Sequence, residues 1–174
     1  MKKNVFAVTV LYHALLLILV YLFQGMILPY LRLYGLTPML LPIVGTGVAV
    51  YEGRDAGGVV GIFTGILCDV SLNAPVGLFT VLLTFTGLIV GNLADTVLVR
   101  RFATFLICCV VVLAISAFAQ MFALLFFENV PPQALISIAI RQTLYSLLFA
   151  FPLWFAVRAL GVRAKRVLPS GKYI

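Results

Sequence analysis

Apolar and polar positions along this chain follow neither the period of a strand nor the stripe of a water-facing helix. They fall into long apolar blocks parted by short polar breaks, over residues 5–28, 38–51, 56–70, 76–98, 102–127 and 134–157. The breaks carry the residues expected of turns and membrane interfaces: Tyr30, Arg32 and Tyr34; Glu52-Gly53-Arg54-Asp55; Ser71 to Pro75; Arg100-Arg101; and Glu128 through Gln133 with its two prolines. A spanning helix needs roughly 20 apolar residues. The pattern therefore predicts an all-α, polytopic integral membrane protein. Its six transmembrane helices would form a single domain, 1–174, followed by a basic tail over 158–174. The second and third blocks are short, so those spans are expected to be tilted, thinned or partly re-entrant. The opening Met1-Lys2-Lys3 resembles a signal peptide, but the apolar run continues to Leu28 without a small-residue cleavage site. It reads as a retained first span.

Composition agrees with the blocks. Of 174 residues, 64% are hydrophobic and 10% charged, and the mean hydropathy is +1.20. A soluble domain carries about 25% charged residues, because its surface faces water. The net charge of +7 raises nucleic acid as a partner, yet the basic residues sit at block ends and form no stripe with aromatic platforms. Their placement is topological. With the amino terminus cytoplasmic, one side holds Lys2, Lys3, Arg54, Arg100, Arg101, Arg158, Arg163, Lys165, Arg166 and Lys172, and the other holds only Arg32. The positive-inside rule then places both termini in the cytoplasm, with the tail lying on anionic lipid.

Few residues offer chemistry. Gly57, Gly61 and Gly65 recur at a spacing of four, as do Gly87 and Gly91. Such glycines share one helix face and let another backbone approach, either within the chain or from a partner protein. Asp69 closes the third block, at the unfavourable negative end of its helix dipole. Arg141 lies about seven residues into the sixth, and an intramembrane charge costs on the order of 2.5–3.5 kcal/mol unless partnered. An Asp69–Arg141 pair, joined by Gln142 or Gln120, is one arrangement; a polar cavity or a contact with a partner's helix is another. His13 is a lone imidazole, expected to be a hydrogen-bonded packing residue. Cys68, Cys108 and Cys109 have no metal-ligand spacing and read as small packing residues. Glu52, Arg54 and Asp55 read as a solvated turn. No Ser-His-Asp set, carboxylate pair, P-loop or metal-ligand cluster appears in the sequence, so the expectation is a non-enzymatic protein without a cofactor or metal.

Residues 38–101 resemble the rod shape-determining protein MreD family. The pattern is an apolar span opened by proline, a charged turn, a glycine-rich span ending in aspartate, a loop, and a Gly-Leu-led span. Here it reads Pro38-Met39-Leu40-Leu41-Pro42, then Tyr51 to Asp55, then Gly57, Gly58, Gly61, Phe63, Gly65 and Asp69, then Pro75-Val76-Gly77-Leu78 and Gly87. Pro38, Asp69 and Gly77 fall on characteristic positions. The resemblance implies a bundle similar to the S-components of energy-coupling-factor transporters. It further implies a scaffold of the bacterial cytoplasmic membrane that controls peptidoglycan synthesis and cell shape. The implied partners are an MreC-like bitopic protein, RodA with the elongation transpeptidase, and MreB, with no nucleic acid. On this reading the glycine faces dock the MreC-like helix. The alternative of another class is a vitamin-binding S-component, in which Asp69, Arg141 and Gln142 would line a ligand cavity.

Overall fold

The computed structural model describes residues 2–26, 30, 38–72, 77–96, 101–128 and 132–167, with side chains placed for a narrower set. The interfacial segment around Arg32, the Pro75 turn, Arg100 and the end of the basic tail lie outside the described residues. So do the side chains of Lys2, Lys3, Glu128, Arg163, Lys165 and Arg166.

Among the described residues the chain forms seven helices: α1 (Lys2–Met26), α2 (Leu41–Glu52), α3 (Arg54–Ser71), α4 (Leu78–Thr96), α5 (Phe102–Glu128), α6 (Pro132–Leu148) and α7 (Ala150–Val167). The second apolar block makes the centre of the molecule. Every residue of α2 from Leu41 to Val50 is buried, because α1, α3, α4, α5 and α7 all pack around it. A helix that is apolar on all sides has to be enclosed. One side of α2 joins Leu41, Val44 and Val48 to Val60, Phe79, Leu83 and Val157. Another joins Ile43 to Phe105, Cys109 and Leu113. The outer shell is also apolar: Leu11 is 68% exposed, Phe118 70% and Leu148 71%. These side chains require a non-aqueous surrounding or a partner.

Among the described residues the structure supports three to four candidate spans and does not support six. By length and composition three helical segments are long and apolar enough to cross a membrane: Val8–Met26, Leu78–Thr96 and Phe102–Phe122. A fourth exists if Ile136–Leu148 and Ala150–Gly161, bent by 48° at their junction, are taken as one broken span. At 1.5 Å per residue the 12-residue α2 is about 18 Å long, well short of a hydrocarbon core of about 30 Å. The 18-residue α3 carries Arg54, Asp55 and Asp69. The sixth block breaks because Pro152 lacks the N–H that would reach Leu148 and its ring crowds that carbonyl. Phe149 instead donates its N–H to the carbonyl of Ser146 in a tight turn, at 3.1 Å. What was expected to be a tail from Arg158 onward continues as helix to Val167.

Candidate functional site

Helix ends are the costly places in an apolar protein, since their first N–H groups lack intrahelical acceptors. At the approach to α2 and the starts of α3 and α4, such donors are met by side chains from elsewhere in the bundle. α3 and α4 form a tight hairpin. Asp69, on the last turn of α3, reaches across to the start of α4. One carboxylate oxygen accepts the N–H of Phe79 at 2.8 Å. The other accepts the N–H groups of Gly77 and Thr80 at 3.1 and 3.2 Å, and the Thr80 hydroxyl at 2.6 Å. The expected conflict with the dipole of α3 is thereby offset, because the same charge meets the positive end of α4. Gly77 makes the approach with a left-handed backbone, φ 95°.

The opposite end of the hairpin has the converse arrangement. Asp95, near the end of α4, accepts the N–H of Arg54 at the start of α3, at 2.9 Å. The preceding residue is Gly53, with φ 89°. It supplies no capping side chain, and a Cβ there would lie 2.5 Å from Asp95 Oδ1. The entry to α2 follows the same logic. Ser146 of α6 accepts the N–H of Met39 at 2.8 Å while donating its hydroxyl to the Gln142 carbonyl at 2.7 Å. Gln24 of α1 accepts the N–H of Leu40 at 3.1 Å. Asp95, Ser146 and Gln24 are not singled out by the sequence; their signal is a polar side chain inside an apolar block.

The glycines lie between α3 and α4, all five buried. A Cβ on Gly57 would stand 2.8 Å from the Gly87 carbonyl oxygen, and one on Gly61 2.7 Å from that of Leu83. One on Gly65 would run into Thr80 Cα, and one on Gly91 would stand 2.6 Å from Arg54 Cα. Contacts this short do not occur for real side chains, so these faces are closed by the chain's own backbone. Of the two expectations for these glycines, packing within the chain fits, and the reception of a partner's helix on these faces is corrected.

Asp69, Arg141 and Gln142 do not come together. Among the described residues α6 packs on α5 and α7 and makes no contact with α3. Arg141 is exposed on α6, whereas its neighbour Gln142 is buried. Gln120 is half-buried on α5. His13 is wholly buried, and its Nδ1–H donates to the Thr9 carbonyl at 2.7 Å. Its Nε2 and the Ser116 hydroxyl are buried without a hydrogen-bond partner among the described residues. Cys68 and Cys109 are buried free thiols and Cys108 is half-buried. Arg54 and Asp55 are exposed, as expected of a turn, but Glu52 is half-buried, with Gly161 of α7 packed against its carboxylate. Pro38 is buried at the approach to α2.

At the Glu52 end an aromatic group ties α2, α5 and α7 together. Trp154 donates its Nε1–H to the Tyr51 hydroxyl. Its ring meets Phe102 edge to face, with centroids 5.1 Å apart, and the Arg158 guanidinium lies 5.4 Å over it. Between α2, α3, α4 and α5 lies a cavity of about 10 Å³, lined by Thr46, Thr64, Thr86 and apolar residues. Those hydroxyls already donate to carbonyls of their own helices. This cavity has room for about one water, against roughly 300–1,000 Å³ for small-molecule sites. Among the described residues no three His, Cys, Asp or Glu side chains are grouped to hold a metal ion. No protein-family model, curated protein or solved structure matches this chain.

Proposed function

We propose that the chain is a non-enzymatic scaffold of the bacterial cell-elongation complex, an MreD-type subunit of the cytoplasmic membrane. In this role it docks an MreC-like bitopic protein, which positions RodA and its transpeptidase for peptidoglycan synthesis, with MreB on the cytoplasmic side. Both termini face the cytoplasm, in keeping with the basic residues collected on that side and with α1 lying along α7. The observation that carries the reading concerns the family-like stretch. Its aspartate and its glycine, Asp69 and Gly77, are bonded to each other at the hairpin turn. The spacing of the resemblance thus coincides with a physical device, a carboxylate that caps the next helix. The apolar outer shell gives further support, since it offers large surfaces for lipid or for other membrane helices.

Depletion of the protein from its rod-shaped host tests this directly. The expected outcome is widening and rounding of the cells, with loss of wall insertion along the cylinder. Normal shape accompanied by a vitamin requirement would replace the scaffold with the S-component alternative.

A further inference from the structure

Among the described residues the outward arginine of α6 has no counter-charge. The sequence holds five carboxylate side chains: Glu52, Asp55, Asp69, Asp95 and Glu128. Glu52, Asp55 and Asp95 lie where α2 ends, α3 begins and α4 closes, on elements that α6 does not contact among the described residues. Asp69 is committed to four donors of the α3–α4 hairpin, and α3 does not touch α6 among the described residues. Glu128 closes α5 at the level where α6 begins. Arg141 is nine residues beyond Pro132, about 14 Å further along the axis at 1.5 Å per residue. No ion pair to Arg141 exists among the described residues. Arg141 is itself exposed and adjoins, on the same helix, an apolar ridge at four-residue spacing, Ile136, Ile140, Leu144 and Leu148, all more than half exposed. Such ridges pack into the grooves of neighbouring helices. An apolar half-span with one unneutralised cation is complementary to an apolar helix with one anion.

We infer that this face of α6 docks a membrane-spanning helix of another protein, one carrying an aspartate or glutamate at the depth of Arg141. The two side chains form a charge-assisted pair, and the isoleucine–leucine ridge supplies the packing around it. The inference deepens the scaffold reading by locating its docking surface on α6.

The test is a photocrosslinking amino acid in place of Leu144, on the same ridge, with irradiation in native membranes and mass spectrometry of the product. The expected product joins α6 to a spanning segment that contains an acidic residue. Its yield should fall about tenfold or more with Arg141→Leu, stay high with Arg141→Lys, and return when Arg141→Glu is matched by a lysine in place of the partner's acid. Because Arg141 is exposed, Arg141→Leu should leave the thermal melt of the purified protein unchanged. Crosslinks to lipid alone would overturn the inference in favour of an arginine reaching a headgroup phosphate. A protein crosslink indifferent to Arg141, or one to a helix without an acid, would also overturn it. An acidic spanning helix from a protein unconnected with wall synthesis would keep this inference and remove the scaffold reading. A silent α6 face in cells that lose their rod shape on depletion would do the reverse.

Discussion

At the scale of single residues, Asp69 joins the end of α3 to the start of α4. It satisfies three backbone N–H groups and a hydroxyl in surroundings where an unmet donor has little access to water. Asp69→Ala should destabilise the protein by about 2–3 kcal/mol, the sum expected from a lost helix cap and orphaned donors. Asp69→Asn should fall between, because one of its two atoms becomes a donor facing other donors. Thermal melts in mild detergent order the three proteins. The glycines give a second test with an internal control. Gly61→Ala places a methyl 2.7 Å from the Leu83 carbonyl oxygen, so α3 and α4 must separate, at a cost of about 1–3 kcal/mol. Gly25→Ala has nothing within 4 Å and should be neutral or stabilising by about 0.5–1 kcal/mol. Equal melts for the two variants would refute the close approach of the hairpin. The four-residue glycine spacing was legible in the sequence as a close-packing face. The identity of the opposing surface was not, because glycine spacing is the same whether the neighbour belongs to the same chain or another. Asp69 was legible as costly, but its remedy depends on the chain turning back at Gly77.

At the scale of elements, the apolar blocks locate the helices well, but among the described residues only three of them, or four with the bent pair, are long and apolar enough to cross a membrane. α2 was legible as short, yet its full burial follows from five neighbouring helices that periodicity does not reveal. By hydropathy the sixth block reads as one span, although Pro152 stands inside it. That proline was the signal for the break, and hydropathy outweighed it. Pro152→Ala restores the missing N–H and should let α6 and α7 join into a straighter helix. Spin labels in place of Ile140 and Phe155, both exposed, would report this as a longer and narrower distance distribution. An unchanged distribution would mean that packing of α7 on α1 and α2, with Trp154 bonded to Tyr51, holds the 48° bend without the proline.

At the scale of the whole molecule, a buried short helix is ringed by longer ones, and side chains from other helices close the approach to α2 and the starts of α3 and α4. The polar groups described along the interior are largely occupied in holding the fold. Among the described residues the molecule presents outward apolar surface, the charged residues Arg54, Asp55 and Asp95 where α3 begins and α4 closes, and the arginine of α6. That distribution suits a body that other membrane proteins assemble on. The most direct measurement of that role is a mild-detergent purification from native membranes, with mass spectrometry of both the proteins and the small molecules retained. The scaffold account predicts an MreC-like bitopic protein and wall synthases in stable proportion to this chain, with no bound ligand. Paired ATPases with a coupling protein, or a vitamin retained at one per chain, would contradict it.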